Sequence, residues 1–428
     1  MSFDRLWDAL LPVGLEPSTG GYRRFAWTAS DLECREWFVA AAGERGLAAE
    51  TDQNGNLWAW WGDPAGGDAL VLGSHLDSVP DGGAFDGPLG VVSAFAAVEA
   101  ARARGFEPTR PVAVAMFADE EGARFGVACA GSRLLTGALT AERALALRDG
   151  DGTTMAEAMR AACHDPAGVG ADPRRVARIG CFVELHIEQG RARPDSLGAA
   201  TPTTDDPHGL VDLDRVVGVA SGIWPHGRWR FDFAGRADHA GTTRLADRDD
   251  PMLVYAATVL AARDAATRHN ALATFGKVIV EPNGVNAIPS RVTAWLDARG
   301  PDEARVRTLV SELSGRTSRK PGETRDPALT ARKQPLVEIT EESWTPSTVF
   351  DVGLRDRLAA LLDRAPVLPT GAGHDAGILA AAGVPSAMLF VRNPTGVSHS
   401  PAEHADRADC LAGVESLVRV VSGAVLTE

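Results

Sequence analysis

The chain has 428 residues, 45% of them hydrophobic and 23% charged, which is ordinary for a globular protein with a buried core and leaves room for two domains. Its formal net charge is −14, from 43 basic and 57 acidic residues. Non-specific binding to nucleic acid needs a basic surface, so this class of function is disfavoured. No stretch approaches the roughly 18–20 apolar residues of a membrane span.

The N-terminus and the cysteines indicate a cytoplasmic protein. Asp4 and Asp8 interrupt the apolar start of the chain, and no small-residue cleavage site follows, so we expect no signal peptide. The five cysteines are scattered, odd in number and without a CxxC pair, which predicts free thiols in a reducing compartment. Cys181 could be a nucleophile, but the apolar run after it favours a buried, inert thiol.

In chain order, helices and strands alternate through the first 190 residues and again near the end. The patterns predict a helix at 32–46, strands at 57–61 and 69–73, a helix at 89–104, strands at 111–118 and 181–187, a helix at 350–363 and a strand at 385–391. Such alternation predicts an α/β protein with a mostly parallel central sheet.

The middle of the chain has a different pattern. Segment 193–214 is rich in Pro, Gly, Thr and Asp, and we interpret it as a mobile loop or linker. The next elements are a strand at 228–234, a helix at 251–268, strands at 273–281 and 291–299, a helix at 302–315 and a strand at 328–340. This βαββαβ order is ferredoxin-like. We therefore predict a domain at 215–345 that is inserted into another, formed by 1–214 and 346–428.

Polar motifs follow several of the predicted strands. They are GSHLD at 73–77 with GGAFDG at 82–87, DEEGARF at 119–125, HIEQG at 186–190 and SHSPAE at 398–403. In open α/β sheets, function gathers beyond the carboxyl ends of the strands. Histidine nitrogens and carboxylate oxygens are ligands that suit zinc, manganese or cobalt. Each motif alone fits a solvated loop, but together they predict a metal site.

These motifs, with GAGHDA at 371–376, resemble the M20 metallopeptidase-like family. The sequence is similar to the branch of allantoate amidohydrolases, N-carbamoyl-L-amino-acid hydrolases and β-ureidopropionases, from about residue 28 to the C-terminus. HIEQG and GAGHDA are the specific markers. The resemblance implies a zinc-peptidase-like catalytic domain and an inserted domain through which a homodimer forms. The segment after HIEQG is longer than in relatives, and we interpret it as a surface loop rather than a lid.

Carried over residue by residue, the resemblance implies two divalent metal ions per subunit, with zinc expected and manganese or cobalt as alternatives. Asp86 would bridge the two ions. His75 and His186 would complete one site, and Glu121 and His399 would complete the other. Peptidase and aminoacylase branches of the family have a carboxylate at the position of His186.

The resemblance also implies catalytic groups. Glu120 would be the general base, and Asp77 would support the imidazole of His75 through a hydrogen bond. His239, in the segment ADHAGTT, would stabilise the oxyanion, and it is thought to reach the active site of the other subunit. The alternative interpretation of His239 is a surface turn histidine.

On the substrate side, the family holds a carboxylate with an Asn and an Arg from the inserted domain, and Asn286 and Arg299 match them. All predicted substrate contacts are Gln189, His226, Asn286, Arg299, Gly373 and His374. Relatives often have glutamine where His226 stands, and they read GTTPM where this chain has TTRL at 242–245. Both departures concern substrate choice.

The sequence therefore predicts a metal-dependent amidohydrolase that cleaves the linear C–N bond of a carboxylate-bearing ureido compound. Allantoate, with release of ammonia and carbon dioxide, is the expected substrate, because His226 and His374 offer polar contacts to its second ureido arm. N-carbamoyl- or N-formyl-L-amino acids are the alternatives, and dipeptides or acylated amino acids are more distant ones. The alternative from another functional class is a binding protein that keeps the fold but has lost catalytic activity. The presence of all five predicted metal ligands and of Glu120 argues against it.

Overall fold

The computed structural model describes residues 2–190, 209–317 and 337–423. Most of the loop predicted at 193–214 lies outside the described residues, as do the first nine residues of the strand predicted at 328–340. Within the described residues, no helix combines the length and the hydropathy that crossing a membrane requires.

The secondary structure alternates as the sequence predicts. In chain order, the described strands are β1 (Leu15–Glu16), β2 (Gly21–Tyr22), β3 (Ala48–Thr51), β4 (Leu57–Trp61), β5 (Ala69–His75), β6 (Val112–Phe117), β7 (Ile179–Ile187), β8 (Val217–Ile223), β9 (His226–Ala234), β10 (Asp238–His239), β11 (Leu272–Glu281), β12 (Ala287–Ile288), β13 (Arg291–Arg299), β14 (Val337–Thr345), β15 (Thr348–Val349), β16 (Val367–Thr370) and β17 (Ser386–Val391). The described α-helices are α1 (Ser2–Leu10), α2 (Ala29–Glu44), α3 (Pro88–Ala103), α4 (Ala130–Thr136), α5 (Ala141–Ala146), α6 (Met155–Ala161), α7 (Pro173–Val176), α8 (Pro251–His269), α9 (Glu303–Thr317), α10 (Val352–Leu361), α11 (Asp375–Ala381) and α12 (Arg407–Ser422).

The chain forms two compact units, of which the first comprises the described residues up to Ile223 and from Thr348 onward. Its main sheet has the order β15-β8-β17-β7-β5-β6-β4-β3, and β16 also pairs with β8, giving nine strands among the described residues. Strands β17, β7, β5 and β6 are parallel, whereas β3, β4 and β15 pair antiparallel. The sheet is therefore mixed rather than mostly parallel. A turn of only a few residues joins β3 to β4, and such a short connection permits antiparallel pairing alone.

The parallel strands are buried along almost their whole length, and only Gly180 in β7 is partly exposed. Each reads as an almost continuous apolar run, as is usual for strands without a solvated face. Helix α3 lies close against this sheet: a methyl group on Gly90 would be 2.3 Å from the Leu185 carbonyl oxygen. Helix α3 packs on β5 and β7, and its first residue follows the motif GGAFDG directly.

The second unit runs from Trp224 to Ser347, and its described elements follow the predicted order βαββαβ. Its four main strands are all antiparallel, in the order β11-β13-β9-β14, and helices α8 and α9 contribute to a separate core with Phe231 and Leu296. The unit begins later than the predicted residue 215, because strand β8 pairs with β17 in the larger sheet. Its last strand ends at Thr345 rather than at residue 340.

The insertion leaves and re-enters the first unit at neighbouring positions. Ile223 ends β8 and Thr348 begins β15, and these two residues are partners in an antiparallel pair. The first unit therefore presents its two connections to the second side by side.

All five cysteines are free thiols, and only Cys163 is exposed. The prediction that Cys181 is buried is confirmed, and burial raises the pKa of its thiol to about 11, which disfavours the thiolate form.

The buried side chain of Asn56 holds the end of strand β6, from which the motif DEEGARF continues. Its Oδ1 accepts the main-chain N–H of Ala118 at 3.0 Å, and its amide donates to the carboxylate of Asp52 at 2.9 Å and to the carbonyl of Gly131 at 3.3 Å. The turn before β4 thus also connects β4, β6 and the start of α4.

We expect Asn56→Ala to destabilise the protein, because the buried N–H of Ala118 would lose its acceptor. An unpaired buried group costs about 1–3 kcal/mol, which should appear as a lower melting temperature in calorimetry. Gln53→Ala is the matched control, since Gln53 lies in the same turn and is exposed. Equal melting temperatures for the two variants would contradict this account of Asn56.

Candidate metal centre

The parallel strands of the first unit bring the polar motifs to one edge of the sheet. Strands β5, β6, β7 and β17 run in the same direction, so their carboxyl ends share a crevice. The residues that meet there are His75 at the end of β5, Asp86 before α3, Glu120 and Glu121 after β6, His186 in β7 and His399 after β17. The convergence that the strand ends predict is therefore present.

Asp86 lies at the centre of this group. Its Oδ1 is 3.1 Å from His186 Nε2 and 3.7 Å from His75 Nε2. Its Oδ2 is 3.5 Å from His399 Nε2, which is itself 3.5 Å from Glu121 Oε2. One carboxylate thus presents one oxygen to each of two ligand sets, and in each set the ligand atoms lie within 4.8 Å of one another.

The hydrogen bonds of the two buried histidines show that these sets fit cations. Nδ1 of His75 is 3.1 Å from the Asp77 carbonyl oxygen, and Nδ1 of His186 is 2.9 Å from the Ile187 carbonyl oxygen. A carbonyl only accepts, so each Nδ1 carries a hydrogen, and each Nε2 offers Asp86 either a second N–H or, once deprotonated, a lone pair. The buried Nε2 of His186 has no hydrogen-bond partner. A buried Nε2 that faces a carboxylate oxygen is satisfied by a proton or by a metal ion between the two atoms, so a cation fits this position.

The spacing of the ligand atoms also fits. Nitrogen and oxygen ligands about 2.0–2.2 Å from a tetrahedral zinc ion lie roughly 3.4 Å from one another, close to the separations around Asp86. A further combination of His186 with Glu184 and His374 has similar spacing. We favour the sets that share Asp86, because Asp86 Oδ1 faces Nε2 of both His75 and His186. In Glu184, by contrast, each oxygen accepts a hydrogen bond, one from the Ser74 hydroxyl and one from the Ala376 N–H.

Asp77 makes contacts that the sequence did not reveal. Its carbonyl oxygen is the nearer partner of His75, whereas its carboxylate oxygen is 3.4 Å from the same nitrogen. The carboxylate instead accepts the main-chain N–H groups of Glu120 at 3.1 Å and of Glu121 at 3.0 Å. Asp77 therefore supports His75 mainly through its main chain, and it orients the turn that carries both glutamates.

Glu120 is buried beside the ligand set that contains His75. Its Oε2 lies 3.8 Å from His75 Nε2, and its Oε1 accepts a hydrogen bond from the Cys129 thiol at 3.2 Å. Burial, opposed by His75 and reinforced by Asp77, raises the pKa of Glu120 to about 7. A carboxylate with a pKa near neutrality is suited to exchange protons with a substrate or water. The contact with Cys129 was not predicted.

Asp86 is held by three further side chains from the predicted motifs. The amide of Gln189 donates to Asp86 Oδ2 at 2.7 Å, and the hydroxyl of Ser398 lies 2.9 Å from the same oxygen. Glu403 Oε1 accepts the main-chain N–H of Asp86 at 2.9 Å. Burial and the nearby Asp86 raise the pKa of Glu403 to about 7. We predicted Gln189 as a substrate contact, and no role was predicted for Ser398 or Glu403, although SHSPAE contains both.

The loop that contains Gly373 and His374 ends at helix α11, next to the ligand set to which His186 belongs. The buried ring of His374 lies with its centroid 4.5 Å from that of His186. His374 therefore lies beside a candidate metal ligand. That this loop contacts the reacting group of the substrate stays a prediction.

The four site residues predicted in the second unit form two separate pairs. His226 and Arg299 are cross-strand partners in β9 and β13, and the guanidinium of Arg299 binds both oxygens of Asp297 at 2.6 and 2.8 Å. The exposed His239 and Asn286 lie together where β10 pairs with β12.

The second unit does not bring Asn286 and Arg299 together, contrary to a grip on one carboxylate from a single chain. Arg299 is the last residue of β13, and Asn286 lies beyond its first residue, Arg291. Eight steps of about 3.3 Å separate the ends of this extended strand, which is roughly 26 Å. Asn286 is therefore grouped with His239, and Arg299 with His226.

The chain is similar to several known proteins. Residues 71–423 match the model of peptidase family M20/M25/M40. An N-carbamoyl-L-amino acid amidohydrolase of Geobacillus stearothermophilus is 36% identical over 98% of this chain and 97% of its own length. An allantoate amidohydrolase of Escherichia coli is 30% identical over 95% of this chain and 94% of its own. The crystal structure of an amidase of the hydantoinase/carbamoylase family from Burkholderia vietnamiensis superimposes with a TM-score of 0.83, at 29% identity, covering 100% and 98% of the two chains.

We expect metal binding to release protons and to strengthen as the pH rises from 6 to 8. Without a metal, burial and the neighbouring Asp86 raise the pKa of Glu121 well above its ordinary value. Burial lowers the pKa of His75, but Glu120 and other carboxylates outweigh it and raise this pKa well above the usual range. Protons then occupy the site near neutral pH, and a cation must displace them.

Calorimetric titration of the metal-free protein with zinc, in buffers of different ionisation enthalpy, measures this proton release. Asp86→Asn should abolish the pH-dependent binding, whereas the control Asp356→Asn, which changes an exposed aspartate on α10 outside both ligand sets, should leave it unchanged. An affinity that does not vary with pH would contradict the assignment of the ligands.

Proposed function

The chain belongs to peptidase family M20/M25/M40, and we propose that it hydrolyses the linear C–N bond of a small ureido compound that carries a carboxylate. The observation that carries the proposal is the pair of ligand sets that share Asp86, with the carboxylate of Glu120 beside them. His186 supports the ureido branch, because peptidase and aminoacylase relatives have a carboxylate at this position. We propose two divalent ions per subunit, with zinc expected and manganese or cobalt as alternatives.

In the proposed reaction, bound metal ions would lower the pKa of a water molecule and polarise the carbonyl of the substrate. Glu120 accepts a proton from the water and delivers it to the leaving nitrogen. The thiol of Cys129 occupies one oxygen of Glu120, which leaves Oε2, the oxygen nearer to His75, for this transfer. His239 donates a hydrogen bond to the oxyanion that forms at the carbonyl carbon.

We propose that Arg299 binds the carboxylate of the substrate, since a guanidinium can hold both of its oxygens. Asp297 accepts hydrogen bonds from Nε and Nη2 of Arg299 and keeps the guanidinium in place. Asn286 lies with His239, so we propose that these two residues act together in one active site. Because about 26 Å of strand separates them from Arg299, the two pairs then serve different active sites.

The second unit offers a surface for the homodimer that this division of residues requires. Among the described strands, β11 is an edge of the sheet, and an edge presents unpaired N–H and C=O groups to a partner. Val278 and Ile279 are exposed on this strand, and Leu253 and Leu260 are 70% and 69% exposed on helix α8. Large exposed apolar side chains on one element favour burial against a second copy.

Two substrates fit the proposal, allantoate and an N-carbamoyl-L-amino acid. Both present a carbamoyl nitrogen and a carboxylate. The similarity to an N-carbamoyl-L-amino acid amidohydrolase and to an allantoate amidohydrolase supports both of them. Allantoate has a second ureido arm, for which His226 and His374 offer polar contacts.

A substrate panel tests the function. We expect the zinc- or manganese-loaded protein to release ammonia from allantoate or an N-carbamoyl-L-amino acid, and to lose this activity on chelation. Glu120→Gln should keep its metal and lose about 10²–10⁴ in rate, because an amide cannot accept the proton of water. The matched control is Glu142→Gln, which changes an exposed glutamate on α5.

Assays for free amino acids and formate, with dipeptides and N-formyl-L-amino acids as substrates, complete the panel. Faster hydrolysis of dipeptides or formyl compounds than of every ureido compound would contradict the proposed substrate class. Unchanged turnover after exhaustive chelation would contradict the metal dependence.

Mixed dimers test the division of residues between subunits. Separately, His239→Ala and Glu120→Ala should be inactive, but co-expressed they should regain activity, because one site of each mixed dimer has both groups intact. With random assortment, half of the dimers are mixed and each has one intact site of two, so about a quarter of wild-type activity should return.

Co-expression of His239→Ala with Asn286→Ala is the matched control. If both residues come from the same partner, every site in that mixed dimer lacks one of them, and no activity should return. The proposed division would be overturned if verified mixed dimers of His239→Ala and Glu120→Ala showed no activity. Activity in mixed dimers of His239→Ala and Asn286→Ala would also overturn it.

A further inference from the structure

The turn that carries Asp86 is held by a single carboxylate from a distant part of the chain. Oε1 of Glu403 accepts the main-chain N–H of Phe85 at 2.8 Å and that of Asp86 at 2.9 Å. Its Oε2 is 3.3 Å from the hydroxyl of Ser398, which also lies 2.9 Å from Asp86 Oδ2. Glu403 thus contacts the main chain of Asp86 directly and its side chain through Ser398.

Glu403 fits closely against this turn. The residue is only 5% exposed. A methyl group on Gly83 would lie 2.4 Å from Glu403 Oε1 and 2.5 Å from its Cβ, so no other side chain can be accommodated there. The absence of a side chain at residue 83 is therefore what allows the carboxylate to reach the two N–H groups.

Aromatic contacts hold the same turn from outside. The ring of Phe85 stacks on Trp7 of helix α1, with centroids 4.9 Å apart, and meets the ring of His404 edge to face at 6.1 Å. These contacts fix Phe85, but they are apolar and leave its N–H and that of Asp86 to Glu403. Glu403 therefore fixes the main chain at Asp86, while Gln189 and Ser398 bind the carboxylate itself.

We propose that Glu403 is a positioning residue for the metal centre, which aims the shared carboxylate of Asp86 at both ligand sets. The inference rests on the proposed function in one respect, namely that these sets bind divalent metal. The segment 398–403 then has two tasks, since His399 belongs to one ligand set and Glu403 orients the carboxylate common to both. A small rotation of Asp86 would move both of its oxygens and weaken both sets together.

Zinc affinity, measured by competition with a chromophoric chelator, tests the proposal without any substrate. Glu403→Ala should weaken zinc binding by about 10–100-fold, which is the usual effect of removing a group that orients a ligand. Glu403→Gln should stay within a few-fold of wild type, because one amide oxygen can accept both N–H groups as Oε1 does. The control is Glu415→Ala, which removes an exposed carboxylate paired with Arg104.

A substitution at Gly83, which packs against Glu403, tests the same contact. Gly83→Ala should displace Glu403 and reproduce the loss of zinc affinity, whereas Gly43→Ala, at a position with nothing within 4 Å, should not. The melting temperature of each metal-free variant separates positioning from folding, because a structural role alone would lower that temperature and leave zinc affinity intact.

Wild-type zinc affinity in Glu403→Ala would overturn this inference alone, as would a lower melting temperature without loss of affinity. Glu403→Gln as weak as Glu403→Ala would overturn it too, because charge rather than position would then matter. Wild-type protein that binds no zinc, manganese or cobalt would overturn the proposed function itself.

Discussion

Several carboxylates are buried close together around Asp86, and their desolvation and mutual repulsion must be compensated by nearby positive charge or hydrogen-bond donors. The contacts of the first unit around Asp86 reflect this requirement. Burial and neighbouring carboxylates raise the pKa values of Glu121 and Asp375 well above the ordinary range. Main-chain N–H groups supply part of the compensation: those of Glu120 and Glu121 bind Asp77, and that of Ala376 binds Glu184. These dipoles orient the carboxylates but do not neutralise them. Divalent cations would complete the balance by displacing protons from the histidine Nε2 atoms that face Asp86.

Such crowding is possible only where the main chain comes very close to the ligands. Gly87 has a φ of 84°, and a methyl group there would lie 2.5 Å from the His75 ring. Gly73, inside β5, would place a methyl group 2.1 Å from the Ala115 carbonyl oxygen of the neighbouring strand. The ligands are therefore set by how closely strands, turn and helix α3 approach one another, and not by their side chains alone.

Sequence patterns predicted what depends on strand ends and local spacing. A metal site follows from such placement, because His75, His186 and Glu121 each come at or just after a parallel strand, whereas the two ligand sets around Asp86 were implied by the family resemblance. Contacts that depend on the path of the main chain in three dimensions were not visible: the N–H groups bound by Asp77, or the reach of Glu403 across the chain to Phe85. Asn286 and Arg299 are only 13 residues apart in sequence, but an extended strand separates neighbours in sequence as effectively as a helix brings them together.

The paired positions of Ile223 and Thr348 have an evolutionary consequence. A segment that leaves and re-enters a host between two partners of an antiparallel ladder takes the place of a hairpin loop. The free energy of closing such a loop grows only slowly with its length, so lengthening it from a few residues to more than a hundred leaves the host sheet intact. The catalytic framework can thus acquire, exchange or discard the module between these two residues as a unit, and ancestral enzymes that lacked it would need only a short turn at this place.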